Sequence, residues 1–354
     1  MKSSKHSLLS LFLIFLRLGC TSFGGPIAHL GYFRDEFVRR RKWLSDEAFA
    51  DLVALCQFLP GPASSQVNYA VGFLRRGWVG GWIAWAAFTL PSAIVLILFA
   101  YGLATLGDPT GAGWVLGLKL AAVAVVAKAV WGMGTKLCTD RGTVTLAMLA
   151  GVLMLLLPYG WMQVAVIVGG AVVGWALFQT DGRNESGGHM SVRLSKRTGL
   201  ICLSLFAALL VGLWLLTLVW ENLFLAVFEA FYRSGSLVFG GGHLVLPLLE
   251  ETVVRPGWID QSTFLAGYGA TQAVPGPLFT FSAFLGTAMN DAPNGWWGGL
   301  FCLIAIYVPS VLLVTGLLPF WDRVRRNHAA RRALRGTNAA VVGLLLAAFY
   351  DPVW

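Results

Sequence analysis

The chain has 354 residues, of which 57% are hydrophobic and 12% are charged, and its formal net charge is +9. A soluble domain carries about 25% charged residues, so this composition excludes a soluble protein of this size. The positive charge does not require a nucleic-acid partner, because Lys and Arg collect in the cytoplasmic loops of membrane proteins. The sequence therefore predicts an all-α, polytopic membrane protein whose partner is the lipid bilayer.

Two broken apolar stretches open the chain. The first runs over residues 8–23, carries Arg17 and breaks at Gly24-Gly25-Pro26; the second runs over residues 49–74 and breaks at Pro60-Gly61-Pro62. Glycine permits unusual backbone angles and proline removes a donor, so both helices are expected to stop there. Positive residues flank both stretches, which predicts that each enters the membrane and returns to the cytoplasmic side as a hairpin of short helices.

Unbroken apolar segments follow the second break. They predict five further helices, at about Trp78–Leu106, Gly113–Gly134, Thr143–Pro158, Trp161–Phe178 and Gly199–Trp220. A polar, basic segment separates the last two. We therefore divide the chain into a first repeat at residues 1–178, a cytoplasmic linker at 179–198 and a second repeat at 199–354.

An internal repeat supports this division. Phe23-Gly24-Gly25 recurs as Phe239-Gly240-Gly241, 239 − 23 = 216 positions later. One residue then drops out, and Pro60-Gly61-Pro62 recurs as Pro275-Gly276-Pro277. The segment 143–178 has no counterpart before the chain ends, so the second repeat is expected to be shortened at its C-terminal end. A repeat of this length indicates a duplicated half-protein.

The charges of the loops predict that the two copies have opposite orientations. The first copy is strongly basic at residues 34–42, where the second copy holds Glu250, Glu251 and only Arg255. The bias reverses after the Pro-Ser helix, which carries Pro91-Ser92 in the first copy and Pro309-Ser310 in the second. There the first copy is neutral and the second holds six arginines at 323–335. By the positive-inside rule the copies are inverted, and the odd number of helices predicted between them requires the same. Inverted repeats with broken or re-entrant helices are typical of secondary transporters.

The helix breaks are the predicted substrate site, because such transporters bind their substrates where discontinuous helices meet. Half-helix N-termini offer free N–H groups and a partial positive charge, which suit an anion. The alternative is that these residues only kink the helices. The candidate substrate-binding residues at the breaks are Phe23, Gly24, Gly25, Pro60, Gly61, Pro62, Phe239, Gly240, Gly241, Pro275, Gly276 and Pro277.

Arg17 and Arg233 occupy equivalent positions in the middle of apolar runs. A charge at mid-membrane costs about 2.5–3.5 kcal/mol on insertion scales and is functional by default. Their symmetric placement predicts two guanidinium groups that grip one oxyanion. The alternatives are an ion pair of Arg233 with Glu229 and snorkelling of Arg17 to the membrane interface.

Further polar residues accompany the breaks or interrupt apolar helices. Six of them lie beside the Pro-Gly-Pro breaks: Gln57, Gln272, Ser64, Ser65, Asn68 and Thr280. The two alternatives for these six are that they bind substrate or that they satisfy backbone groups freed by the breaks. Three others are candidates for the pathway or for proton coupling. Lys128 lines a path or snorkels, Asp51 carries a proton or favours a helix N-terminus, and His243 relays protons or is structural.

The sequence contains no pattern that predicts a cofactor, a metal or a catalytic site. No His, Cys and carboxylate cluster has metal-ligand spacing, and neither a Walker loop nor a Ser-His-Asp order is found. We therefore expect a protein that is not an enzyme.

These motifs resemble those of the chromate transporter family. The likeness rests on Ser22-Phe23-Gly24-Gly25-Pro26, on Trp43-Leu44, on Gln57-Phe58-Leu59-Pro60-Gly61-Pro62 with Asn68, and on their second copies around 239–243, 258–259 and 272–277. The doubled order is specific, covers nearly the whole chain and looks like the long, two-domain form of the family. Long members often carry more helices in the second half, so this half is expected to be shortened or to rely on a second protomer.

The resemblance implies a multi-pass protein of the bacterial inner membrane that exports chromate with energy from the proton-motive force. Three alternatives stay open: a transporter of sulfate or another oxyanion, a passive anion channel, and a chromate reductase. The reductase would need a redox cofactor or a paired thiol, and the five cysteines include no CxxC pair. A homodimer is also left open.

Overall fold

The computed structural model describes residues 7–105, 113–157, 162–179, 194–238 and 245–350. All regular secondary structure in these ranges is helical, which confirms the all-α prediction. The first half begins with the short helices α1, α2 and α3 and continues with α4 to α7. Their bounds are Leu8–Thr21, Gly25–Arg34, Asp46–Phe58, Ala63–Thr105, Gly113–Leu137, Arg141–Leu156 and Met162–Leu177. A π-helix, Asp35–Arg40, continues α2.

The second half repeats this order after the helix α8, Lys196–Val219. It contains α9 to α13, with bounds Leu223–Leu237, Val245–Val253, Gln261–Ala273, Phe281–Ala288 and Gly295–Leu317. The short helix α14, Trp321–Val324, and the helix α15, His328–Ala348, complete it. Arg331, Arg332 and Arg335 therefore lie in the first turns of α15, whereas the sequence had predicted them in a loop.

The helices break where glycine and proline interrupt the apolar runs. α1 ends at Thr21, and Gly24 and Gly25 have positive φ angles of 90° and 75° before Pro26 sets the start of α2. A positive φ is accessible to glycine at little cost, and proline fits the first turn of a helix. α3 ends at Phe58 before Pro60-Gly61-Pro62, and α11 ends before its second copy. The predicted breaks at both Pro-Gly-Pro motifs and at Gly24-Gly25 are present, while Gly240-Gly241 lies outside the described residues.

The long helix α4 is two helices joined at a sharp turn. Arg76 and Gly77 have non-helical backbone angles, and Gly77 has a positive φ of 62°. The part before this turn corresponds to α12 and the part after it corresponds to α13. The repeat is therefore preserved in three dimensions, with a continuous turn in the first copy and the segment 289–294 in the second.

The one residue that drops out of the second copy falls near the end of the π-helix. In the first copy the Trp43 N–H donates to the Phe37 carbonyl at 2.7 Å. In the second copy the equivalent Trp258 N–H donates to the Val253 carbonyl at 3.0 Å, across one residue fewer. These equivalent bonds close over six and five residues, so the first copy has one residue more here, in the segment that contains the end of the π-helix.

The two equivalent long helices run antiparallel to each other. Early in the second part of α4, Trp85 packs on Tyr307 with ring centroids 5.4 Å apart. Late in that helix, the Tyr101 hydroxyl accepts a hydrogen bond from the Trp296 N–H at 3.0 Å. Later residues of one helix thus meet earlier residues of the other, so these two helices are antiparallel. The inversion of the whole repeats stays a prediction.

Length and composition identify three helices, among the described residues, that can cross a membrane. They are Ala63–Thr105, Lys196–Val219 and Gly295–Val324, and shorter apolar helices accompany them. Glycines let α15 approach its neighbours closely: Gly336 lies against Gly170 and Gly174, and Gly343 lies against Gly151. Contacts between small residues are typical of helix packing in membranes. The chain is a multi-pass membrane protein.

We expect the inverted orientation to be visible by cysteine labelling. Trp78 and Trp296 are equivalent, exposed residues at the starts of the equivalent helices. In a variant without the five native cysteines, a membrane-impermeant thiol reagent should label Trp296→Cys in intact cells and Trp78→Cys only in everted vesicles. Labelling of both positions from the same side would mean that the repeats are parallel.

Candidate functional site

The two Pro-Gly-Pro breaks exchange hydrogen bonds between the halves. The Gly61 N–H donates to the Val238 carbonyl at 2.6 Å, and the Gly276 N–H donates to the Ser22 carbonyl at 2.9 Å. Gly61 is the equivalent of Gly276, and Ser22 is the equivalent of Val238. The same contact is therefore made twice with the roles of the halves exchanged, as two-fold symmetry requires.

Only glycine fits at these two positions. The φ angles of Gly61 and Gly276 are 118° and 109°, which other L-residues rarely adopt. A Cβ atom on Gly61 would clash with the Ser310 Oγ, and one on Gly276 would lie 2.7 Å from the Ser92 Oγ. Ser92 and Ser310 are themselves equivalent. Each break is thus wedged against the Pro-Ser helix of the other half.

Tyr307 of α13 contacts the segments that follow both breaks. Its hydroxyl lies 3.3 Å from the Ser65 Oγ after the first break. Its ring packs on Phe279 after the second break, with centroids 5.8 Å apart. The structure therefore brings the two Pro-Gly-Pro breaks together at the interface of the halves.

Several buried polar atoms in and beside these breaks have no hydrogen-bond partner among the described residues. Asn68 is fully buried, and neither its amide nitrogen nor its amide oxygen has a hydrogen-bond partner among the described residues. The same holds for the Oγ atoms of Ser22 and Ser310, the Oε1 of Gln66 and the Nε2 of Gln272. Buried polar groups are nearly always hydrogen-bonded, so a group of exceptions requires an explanation such as a polar ligand.

The predicted site residues are distributed unevenly around this centre. Ser64, Gly61 and Pro62 are buried beside the first break, whereas Gln57 and Phe23 are exposed. The N–H groups of Gly61 and Gly276, which the sequence had offered to an anion, are instead donated to protein carbonyls.

Arg17 lies in a groove of about 610 Å³ between α1 and the π-helix. Its side chain is 59% exposed, and one of its nitrogens lies 4.0 Å from the Glu36 carboxylate. Arg233 instead donates to Glu229 at 2.7 Å, which is the ion pair named as the alternative. Each arginine has its own neighbours, so a joint grip on one anion stays a prediction.

Asp51 forms a buried ion pair between the halves. The Arg325 guanidinium donates to both of its carboxylate oxygens, at 2.7 and 2.8 Å, and the two side chains are only 7% and 14% exposed. A role of Asp51 in proton coupling stays a prediction. Lys128 is exposed on α5, while Phe239, Gly240, Gly241 and His243 lie outside the described residues.

Sequence reasoning did not single out Gln66, Ser310, Tyr307 or Glu36. Ser310 carried a signal, because the Pro91-Ser92 pair recurs as Pro309-Ser310. The repeat aligns Gln66 with Phe281, Tyr307 with Thr89 and Glu36 with Thr252. None of these pairs is identical, so the roles of the three residues follow only from contacts between distant segments.

The fold and the site define a class of protein. Broken helices that meet around unsatisfied polar groups, in a multi-pass membrane protein, are the design of a membrane transporter. The family model for the chromate transporter matches residues 9–175 and again residues 225–354. The chain belongs to the chromate transporter family, whose substrate is an oxyanion.

Curated relatives match nearly the whole chain. An uncharacterized transporter of Methanocaldococcus jannaschii is 28% identical, covering 98% of this chain and 84% of the relative. A chromate transport protein of Pseudomonas aeruginosa is 27% identical, covering 96% of this chain and 80% of the relative. An uncharacterized transporter of Bacillus subtilis is 36% identical over 25% of this chain and 49% of the relative. No solved structure matches the chain.

We expect Gly61→Ala and Gly276→Ala to destabilise the protein to a similar degree. Each introduces a clash with a serine and a strained backbone, which costs about 1–3 kcal/mol for the strain alone. The measurement is the melting temperature in detergent, with Gly102→Ala as the control because a Cβ atom there would meet open space. Melting temperatures equal to that of the control would show that the breaks are not wedged as described.

Proposed function

We propose that this protein exports chromate, a sulfate-like dianion, from the cytoplasm across the bacterial inner membrane and is driven by the proton-motive force. The halves at residues 1–178 and 199–354, joined by the linker 179–198, move in opposite directions around a shared site. This motion exposes the site to the two sides of the membrane in turn. Family membership supports the substrate, and the antiparallel order of α4 and α13 supports inverted halves.

The buried, unpaired polar atoms at the breaks carry this proposal. An amide as deeply buried as that of Asn68 is costly unless it has a partner, and the cost is about 1–3 kcal/mol for each unsatisfied group. The groups are neutral donors and acceptors, and they lie where the two halves meet. An oxyanion accepts hydrogen bonds from the amide nitrogen and the serine hydroxyls, and a protonated oxyanion also donates to the amide oxygen.

The charge of the substrate favours export. In a cell that is negative inside, each charge moved across the membrane is worth about 2.3 kcal/mol per 100 mV. A dianion therefore gains roughly 4.6 kcal/mol per 100 mV on leaving. Neutral ligands at the breaks fit a transport site, because they bind the dianion without retaining it as strongly as a pair of fixed cations.

The first test removes the Asn68 amide. We expect Asn68→Leu to keep or raise the melting temperature, because it replaces an unpaired buried amide with an apolar side chain of similar size. We expect it to lower chromate transport about ten- to a hundredfold, since a hydrogen bond to a charged group is worth about 1.5–3 kcal/mol. Transport is measured as uptake of radiolabelled chromate into everted vesicles.

Thr315→Val is the matched control for this test. Thr315 is also fully buried, but its hydroxyl pairs with Tyr69 at 3.2 Å. Its loss should lower stability by about 1 kcal/mol and leave transport near the wild-type level. Normal transport by Asn68→Leu would exclude the amide from the site.

The second test addresses direction and coupling. Everted vesicles that respire should accumulate chromate, and a protonophore should abolish the accumulation. An imposed membrane potential and an imposed pH gradient, applied separately, then show which part of the proton-motive force drives transport. Accumulation that is unaffected by the protonophore would contradict the coupling, and a rate that does not saturate with chromate would indicate a channel. Accumulation of sulfate in place of chromate would assign the site to another oxyanion.

A further inference from the structure

The groove beside α1 combines exposed cations with a buried acid. Arg17 of α1 and Arg40 of the π-helix line it, and their side chains are 59% and 57% exposed. The Glu36 side chain between them is only 6% exposed. Its Oε2 lies 3.2 Å from Arg40 and 4.0 Å from Arg17, and its Oε1 accepts from Arg41 at 2.6 Å. Asp35 and Tyr32 also line the groove, and Asp35 pairs with Arg39 at 2.8 Å.

Arg17 is poorly satisfied by this acid. A distance of 4.0 Å is too long for a hydrogen bond, and no other acidic partner of Arg17 is found in the described part of the chain. Its guanidinium group carries five donors in a planar fork that matches an oxyanion. Arg40 pairs with the same oxygen of Glu36, and this is its one ion pair among the described residues. Two guanidinium groups therefore face a groove with donors to spare.

Glu36 remains charged in this setting. Burial raises the pKa of its carboxyl group, but the hydrogen bonds and charges of Arg41 and Arg40 outweigh burial and leave the pKa below its ordinary value. At neutral pH the carboxylate is thus a permanent anion held where the arginines converge.

The arrangement is particular to the first half. The hydrogen bonds of Trp43 and Trp258 align Phe37 with Val253, so the residue equivalent to Glu36 is Thr252. The Thr252 hydroxyl lies 3.3 Å from that of Ser234 on α9 and makes no charged contact among the described residues. Glu36 lies in a π-helix, whereas Thr252 lies in the α-helix α10. Such π-helical segments occur frequently at functional sites.

We propose that this groove is a peripheral anion site that the oxyanion occupies on its way to the breaks. There the oxyanion displaces the Glu36 carboxylate from Arg17 and Arg40. Glu36 is a built-in competitor. It keeps the arginines in place when no substrate is bound, and it weakens their hold on the dianion so that the dianion passes on. Arg41 retains the carboxylate during the exchange, and no covalent bond is made or broken. This inference rests on the proposed function and adds residues to its pathway.

The test compares the KM and kcat of chromate uptake in everted vesicles. Glu36→Gln removes a negative charge close to the dianion, so KM should fall about tenfold while kcat falls because release is slower. A purely structural role of Glu36 predicts the opposite change in KM, since loss of its ion pairs would disorder the arginines. Arg40→Gln removes a cation and should raise KM about fivefold or more.

Asp46→Asn is the matched control, because it makes the same charge change outside the groove, in a side chain that is 57% exposed and pairs with Arg34 at 2.7 Å. Exposed pairs are worth about 0–1 kcal/mol, so its KM should change less than about threefold. If Glu36→Gln does not accumulate in the membrane, the KM of Arg40→Gln alone tests the proposed groove site. This site alone is overturned by three results together. Wild-type uptake saturates, the KM of Glu36→Gln is unchanged or higher, and the KM of Arg40→Gln is unchanged. Wild-type vesicles that take up neither chromate nor sulfate overturn the site and the proposed function together.

Discussion

The architecture depends on two backbone hydrogen bonds that the halves exchange, from Gly61 to Val238 and from Gly276 to Ser22. A helix broken inside a membrane leaves backbone groups that neither water nor lipid satisfies, so each break needs a partner within the protein. Here the carbonyl after the broken helix α1 or α9 receives its donor from the other half. Each half therefore supplies a backbone donor to a break of the other half.

Charges and neutral dipoles occupy different parts of the molecule. The arginines at the π-helix pair with carboxylates, and the buried pair of Asp51 with Arg325 joins the halves. The groups left without partners at the breaks are amides and hydroxyls, as at Asn68 and Ser310. Fixed cations attract a dianion from solution, whereas neutral dipoles bind it more weakly at the centre. This division fits a protein that must bind an anion and then release it.

The sequence predicted the helices and their breaks because glycine, proline and apolar runs act through local backbone chemistry. The repeat also predicted which residues are equivalent, and the structure uses that equivalence at Gly61 and Gly276. Contacts between the halves could not be predicted from the sequence, since no local pattern links Asp51 to Arg325 or Ser65 to Tyr307. The role of Arg233 was predicted only as an alternative, its pair with Glu229. Glu36 escaped notice because a carboxylate in a basic segment resembles an ordinary surface ion pair until its burial is known.

The most direct test of a shared site at the breaks is a structure with chromate bound, in which the anomalous scattering of chromium locates the ion. The account predicts a chromium peak between the two Pro-Gly-Pro breaks, with chromate oxygens in hydrogen-bond contact with the Asn68 amide and the Ser310 hydroxyl. Chromium found only away from the breaks, with those groups still without partners, would contradict it.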